Sequence, residues 1–470
     1  MRVLLVKSVT KHFPLGLLYL ASKLEASGID ASIVDYIIGR YDSVRFKNEV
    51  KRINPDLVGV SCFSFDVRPA FEIARMVKEV LPKVHIVMGG PHPTGLPEHT
   101  LRDKNVDSVV IGEGEETLNE LAEAVRKGSD FNGIRGIAYK DSGKIVFNQP
   151  REHIKDFDSI SFPAYHLINL DAYFEFPDPH GMATRHPRFM SILTSRGCPY
   201  SCTYCHNTFG KVFRPRSPEN VLAEMELLYH KYGIREFHIE DDSFNVDLER
   251  AEKILDMIHE RDMKISIQFP NGIRADRIND QFARKLRRAG TFMVAIGVES
   301  ASPRILKQIK KNLDLHKIAH AVRILAKQKI LVWGYFMLGF LNEKREEAKE
   351  TINFGRRLRL HFASFSIVVP YPGTELFEEV RDRIDLDSYF SERLTYSLPR
   401  IQLSEIPLAE MGEIKKSALR RFYTPVRILR IATTINSVKE LGFYWEKFKK
   451  NLLRPRFGQA QRSPIMGNRI

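Results

Sequence analysis

Short apolar runs alternate with amphipathic stretches through the first part of the chain. VLLV is followed by LGLLYLASKLEASG, whose apolar positions recur at helical spacing and stop at a glycine. ASIVDY, a polar helix, DLVGVSCF, PAFEIARMVKEVL, HIVMGG, SVVIGEG and TLNELAEAVRKG come next. Apolar runs of strand length separated by single helices predict βαβ units, hence a parallel sheet with helices on both faces. Glycines fall where strands end, at Gly89, Gly90, Gly112 and Gly114. Ligands of open α/β sheets bind outside those carboxyl ends, so residues 1–135 are expected to form a doubly wound, Rossmann-like ligand-binding domain.

Periodicity weakens over 136–188. GIAYKDSGKIVFN has the pattern of a hairpin about Ser142-Gly143, and Pro163, Pro177, Pro179 and Pro187 mark an inter-domain linker. From Ser191 a second series begins with MSILTS, a cysteine-containing loop and NVLAEMELLYHKYG. EFHIEDD, ISIQFPNG, FMVAIGVES, LVWGYFMLGF and FASFSIVVPYPG follow, with helices between them. Six strand–helix repeats predict a partial (β/α)6 barrel over 189–385, with functional residues at the C-terminal ends of its strands. Beyond it, residues 386–470 lose the strand pattern and read as helical.

Composition adds two constraints. At 43% hydrophobic and 28% charged the chain is that of a soluble globular protein. No stretch approaches the roughly 20 apolar residues of a membrane span. The apolar run before Lys7 is too short for a secretory leader, so a cytoplasmic location is expected. The net charge of +14 is concentrated at one end, since Met411–Ile470 holds 14 Lys or Arg against 3 Asp or Glu. Basic residues there interleave with Phe, Tyr, Ile and Leu in KKSALRRFYTPVRILRIATT and WEKFKKNLLRPRF. Three readings stay open: a helix lying on an anionic membrane, a surface for RNA phosphates, and a face packed on the barrel with its charges solvated.

Four cysteines are too few for a disulfide framework in a chain of this length. Cys62, in the apolar run DLVGVSCF, reads as a small buried hydrophobe. The other three, Cys198, Cys202 and Cys205, share the loop TSRGCPYSCTYCHN. Three thiolates so placed can ligate three irons of a 4Fe–4S cluster and leave the fourth open. A structural zinc, with His206 completing a Cys₃His set, is the rival.

CxxxCxxC with Tyr204 before the last cysteine resembles the signature of the radical S-adenosylmethionine (radical SAM) superfamily. The resemblance implies that the open iron is chelated by S-adenosylmethionine (SAM), whose cleavage yields a 5′-deoxyadenosyl radical. It also implies candidate SAM contacts. Glu240, Asp241 and Asp242 would hold the ammonium, although one of them could simply cap the following helix. Arg274 would meet the carboxylate, Glu299 and Ser300 the ribose, and Gly334 and Gly339 would admit the adenine. The N-terminal pieces PLGLLYLASKLEASG, PDLVGVSCFSFD, IVMGGPHPT and VVIGEGEET resemble the cobalamin-binding domain that precedes the barrel in one group of these enzymes. Ser61, Gly89, Gly90, His92, Gly112, Glu113 and Gly114 are the lining candidates this implies, small residues suiting close approach to the backbone. The DxHxxG motif that supplies a cobalt ligand elsewhere is absent, and His12 reads as a solvated loop residue.

The architecture resembles the cobalamin-dependent (class B) radical SAM methyltransferases. That implies methylation of an unactivated carbon of a lipid or other secondary metabolite, driven by a flavodoxin- or ferredoxin-type donor of low potential. A radical cyclase or rearrangement enzyme of the same architecture is the alternative. From another class comes a non-catalytic cobalamin sensor, which has no need of an open-site cluster. A methylthiotransferase would need three further N-terminal cysteines, and only Cys62 is there. Nucleic acid is not expected as a partner, and peripheral membrane contact through the basic tail stays open beside packing on the barrel.

Overall fold

A computed structural model describes residues 1–8, 12–175, 184–206, 208–396 and 400–434 of the 470-residue chain. Two sheets with different strand orders carry it. The first contains Arg2–Lys7 (β1), Asp30–Asp35 (β2), Leu57–Ser61 (β3), His85–Gly89 (β4), Ser108–Val110 (β5), Ile137–Asp141 (β6) and Lys144–Phe147 (β7). Its order is β2-β1-β3-β4-β5-β6-β7, the first five strands being parallel. Strand order reverses between β1 and β3, and that switch point opens a crevice at their carboxyl ends.

The last two strands correct the expected boundary at residue 135. β6 pairs antiparallel with β5 and β7 with β6, so the hairpin assigned to the linker extends the first sheet to Phe147. Its turn has positive φ at both Ser142 (47°) and Gly143 (80°), as a two-residue hairpin of the primed type demands. Buried Ile137 and Ala138 cover what would otherwise be the open edge of β5. Pro177 and Pro179 of the expected linker lie outside the described residues.

The second sheet contains Phe189–Ile192 (β8), Glu236–Ile239 (β11), Ser266–Phe269 (β12), Thr291–Glu299 (β13), Leu331–Leu338 (β14) and Phe362–Ile367 (β15), while Ser195–Arg196 (β9) and Arg214–Pro215 (β10) form a separate antiparallel pair. Each strand adds in parallel beside its predecessor, from β8 to β15, and the two end strands do not pair. That sequential order is the one a βα barrel produces, left open after six strands. β13 is buried along almost its whole length, which is why it reads as a continuous apolar run.

The two sheets share a core. One apolar cluster joins Leu4, Val60, Cys62, Ile73 and Met88 of the first unit to Ile305, Phe340, Val369, Phe377 and Phe390 of the second. At one crossing the backbones nearly touch: a Cβ on Gly95 would lie 2.8 Å from the carbonyl carbon of Pro372. Cys62 is fully buried, as a small hydrophobe should be, and burial pushes its thiol pKa up. The helical tail is described as far as helices Leu408–Phe422 and Pro425–Ala432. No helix among the described residues is long and apolar enough to cross a membrane.

Candidate active site

The cysteine loop grows from a root fixed by buried charges. Asp241, just past β11, accepts from the Thr194 amide at 2.6 Å and the Ser195 hydroxyl at 2.7 Å, as well as from the Thr194 hydroxyl. Arg216 donates to the Leu193 carbonyl at 2.8 Å, and Arg250 donates to those of Arg216 and Thr194. Both carboxylate oxygens of Asp241 are thus committed to the strand end below the loop. The structure gives this residue the task of holding the loop root rather than meeting a ligand's ammonium.

Above the root, Gly197 has φ +80°, and a Cβ there would lie 2.2 Å from the Val212 carbonyl oxygen, so only glycine fits this bend. Cys198 and Cys202 are half-buried. Cys205 still reaches solvent, but desolvation by the atoms crowded around its thiol, with Asp242, Cys202 and Cys198 beside it, pushes its pKa up to about 12. Three thiols and a carboxylate so close repel one another when ionised, and the set calls for a cation or a metal cluster among them. Among the described residues no group of three or more His, Cys, Asp or Glu side chains is gathered tightly enough to share one ion. Thiolate is the usual iron–sulfur ligand, and three of them in one loop suit a cubane with its fourth iron open. His206 is turned to Asp242, 3.5 Å away.

The strand ends bring several expected residues to this loop. Glu240 accepts from Ser191 at 3.0 Å. Glu299 stands at φ +64°, a conformation unusual for a side-chain-bearing residue, and receives Lys311 Nζ at 3.1 Å and the Tyr204 hydroxyl. Tyr204 packs edge-on against Phe340. Arg274 is engaged by Asp276 at 2.8 and 2.9 Å, and its guanidinium lies 3.9 Å over the Tyr200 ring, which places it as a brace of the cysteine loop. Two residues expected here are elsewhere. Ser300 is buried against Thr351, 3.2 Å away, and Gly334 sits mid-strand, where a Cβ would meet Leu360 and Phe336. Gly339, at the end of β14 with φ +89°, occupies the position expected of a strand-end glycine.

Lys311 escaped the sequence reading because KQIKK looks like a solvated charge run. Burial disfavours its ammonium, but Glu299 and then Cys202 outweigh that and raise its pKa. Tyr335, whose hydroxyl donates to Pro270 O at 2.6 Å, was hidden in an apolar strand.

At the switch point of the first sheet, Ser61 ends β3, and Phe63 and Phe65 stack with centroids 5.1 Å apart just beyond it. Gly90 (φ +111°) and Gly112 (φ +84°) bend the turns after β4 and β5, and a Cβ at Gly112 would meet no atom within 4 Å. A Cβ on Gly90 would lie 2.8 Å from the Cys62 carbonyl oxygen, so the open space is at Gly112; half-buried aromatics and that open glycine at a switch point suit a large planar ligand. Gly89 lies on the same rim, while a Cβ on Gly114 would crowd Leu20 at 3.1 Å. His12 is an exposed loop residue whose carbonyl accepts from Lys7. Two lining candidates have other tasks. His92, with no exposed surface, sits between Ser64 (3.2 Å), His99 (3.1 Å) and the Phe390 ring, and burial lowers its pKa to about 3. Glu113 turns toward the second unit and accepts from Arg196 (3.1 Å), Arg214 (2.8 Å) and the Ile154 amide (2.9 Å).

That last contact joins the two units. Arg196, two residues before Cys198 and only 3% exposed, also bonds Glu115 at 2.6 Å and lies 4.5 Å over the Phe157 ring. Burial alone would raise the pKa of Glu113, but Arg196, Arg214 and the Ile154 amide hold it below the usual carboxylate range. The glycine turn after β5 and the cysteine loop are therefore tied through one buried ion network.

Comparison with known proteins agrees with this geometry. Residues 1–122 match the B12 binding domain and residues 192–355 the radical SAM superfamily. An uncharacterized methyltransferase of Pyrococcus horikoshii is 34% identical over 420 residues, covering 88% of this chain and 89% of that one. The anaerobic magnesium-protoporphyrin IX monomethyl ester cyclase of Rubrivivax gelatinosus is 25% identical, covering 87% and 73%. The solved structure of the radical SAM methyltransferase TsrM from Kitasatospora setae, with tryptophan and a SAM analogue bound, superposes with a TM-score of 0.69 at 22% identity, covering 81% of this chain and 76% of that one. The chain belongs to the radical SAM enzymes that carry a B12-binding domain. It is an enzyme homologous to methyltransferases, and its cofactors are a 4Fe–4S cluster, SAM and cobalamin.

Proposed function

We propose that the enzyme methylates an unactivated carbon of a lipid or other secondary metabolite. When bound, the cluster and SAM supply a 5′-deoxyadenosyl radical, and cobalamin supplies a transferable methyl group. The observation that carries this reading is the ion network joining Arg196, at the foot of the cysteine loop, to Glu113 and Glu115 beside the β5 turn. A methyl group passed between two cofactors must travel a fixed short distance, and a buried ion network keeps two elements in register.

In this reading Cys198, Cys202 and Cys205 hold the cluster, and Glu240 and Asp242 receive the SAM ammonium. Glu299, oriented by Lys311 and Tyr204, takes the ribose, while Gly339 admits the adenine. Ser61, Gly89, Gly90 and Gly112 line the corrin. The enzyme works in the cytoplasm with a flavodoxin- or ferredoxin-type donor and meets the membrane through its basic tail, of which residues 435–470 lie outside the described part.

The test is anaerobic turnover with SAM deuterated at the methyl group. Methylation consumes one SAM as methyl donor and another as radical source, so S-adenosylhomocysteine and 5′-deoxyadenosine should accumulate together. Deoxyadenosine without S-adenosylhomocysteine would favour the cyclase alternative, which the likeness to the Rubrivivax gelatinosus cyclase keeps in view. Neither product would leave only a sensor. Alanine at any of the three loop cysteines should abolish both products and lower the iron count, with cobalt retained.

A further inference from the structure

Helix Pro425–Ala432 is built the wrong way round for a solvent-facing helix. Its arginines point inward: Arg427 donates to the carbonyls of Arg356 (2.9 Å) and Leu358 (3.0 Å), and Arg430 donates to that of Leu360. Three of its apolar side chains point outward, Val426 79% exposed and Leu429 68%, one turn apart on the same face, with Ile428 beside them, while Ile431 packs into the core. Soluble surfaces place these residues the other way.

Next to this helix lies a cavity of about 340 Å³ lined by Arg356, Arg357, Arg421 and Arg427 with Asn353, Phe422 and Thr424; the Arg427 guanidinium lies 3.8 Å over the Phe422 ring, and no acidic side chain takes part. Arg427 Nη1 is buried without a hydrogen-bond partner. Like charges gathered without an acid repel one another, and Arg427 is held down to about 10 by its burial and by Arg430. The missing component is an anion, and the guanidinium fork matches a phosphate.

We infer that this cavity binds the phosphate of an anionic lipid headgroup while Val426 and Leu429 enter the acyl boundary, so that the Pro425–Ala432 helix lies in the membrane plane. Outward aliphatic side chains distinguish this surface from one made for RNA, which would gain nothing from them. The inference deepens the membrane contact proposed for the tail and is independent of the radical chemistry.

Flotation of the full-length protein with vesicles tests it. Binding to phosphatidylcholine vesicles containing phosphatidylglycerol, but not to phosphatidylcholine alone, is the expected result. Arg357→Gln with Arg421→Gln, both exposed and outside the cysteine loop, should weaken binding by about twenty-five-fold, at about five-fold per charge near an anionic surface. Val426→Ser with Leu429→Ser should shift binding in the same direction and make the remainder fully reversible by salt. Unchanged iron content shows that each variant is folded. Equal flotation of wild type and the arginine pair would overturn the pocket while leaving the tail's contact standing, and no flotation at all would remove both. Calorimetric binding of inorganic phosphate or of an RNA oligonucleotide, without any vesicle binding, would overturn the lipid as the source of the anion.

Discussion

Two arginine clusters in this molecule are opposites. At the junction of the two units Arg196, Arg214 and Arg216 are buried, and each meets a carboxylate: Glu113 and Glu115, Glu113, and Glu224. Around the Pro425–Ala432 helix Arg356, Arg357, Arg421 and Arg427 gather with no acid among the residues lining their cavity. Burial explains the difference. An ion withdrawn from water must be paired within the fold, whereas exposed Arg356, Arg357 and Arg421, with half-buried Arg427 held by backbone carbonyls beside them, can leave an anionic partner to be supplied from outside. Paired arginines therefore mark what the fold fixes, and unpaired ones mark what it is prepared to bind.

The sharpest way to break that contrast is Glu113→Gln. Removing this partner leaves buried Arg196 with Glu115 alone and buried Arg214 with only the Ile154 and Phe209 carbonyls, and such losses cost about 3–5 kcal/mol. Anaerobic chemical denaturation should show a fall of that order. Gel filtration should then show cobalt lost along with stability while the iron count per folded chain holds, because the cysteines are untouched. A loss under 1 kcal/mol would mean that the shared apolar core, rather than the ion network, holds the units in register.

That network also shows how much could be read from the sequence. The strand–helix alternation, both sheets and the chemistry of the cysteine loop followed from local patterns, since periodicity and thiol spacing are properties of neighbouring residues. The roles of Glu113, His92 and Asp241 did not, because each is decided by a distant partner: Arg196 is 83 residues from Glu113, and Thr194 is 47 from Asp241. An acid in a glycine-rich turn has the same local pattern whether it lines a ligand or clamps a domain. Lys311 was hidden for the converse reason, a buried cation inside a run that looks exposed.

Glu343 sharpens the comparison from the acid side. It is fully buried, accepts from the Gly339 and Phe340 amides and has no salt bridge among the described residues. Burial pushes its pKa from 4.5 up to about 7, the two amides opposing it only in part. Between those values the folded state holds a proton that the unfolded state has lost, so stability falls as pH rises. Its contribution is full below pH 4.5 and is lost through pH 7, by up to about 3 kcal/mol. Glu343→Gln keeps an acceptor for the amides and removes the ionisation. Its unfolding midpoint should therefore change less between pH 5 and 7.5 than that of the wild type, as scanning fluorimetry can record.

The smallest effect is expected where the arginines are unpaired. Arg357 is exposed, lines the cavity and makes no salt bridge among the described residues, so Arg357→Gln removes repulsion and no attraction. Stability should change by no more than about 0.5 kcal/mol, and upward if at all. Salt decides whether this account is right. Exposed charges further apart than a screening length cease to interact, and that length falls from about 10 Å at 0.1 M to 3 Å at 1 M. The gain should therefore appear at low ionic strength and vanish at high. A loss at low salt would mean that Arg357 has an acidic partner in solution, and the cluster would then belong with the paired arginines of the junction.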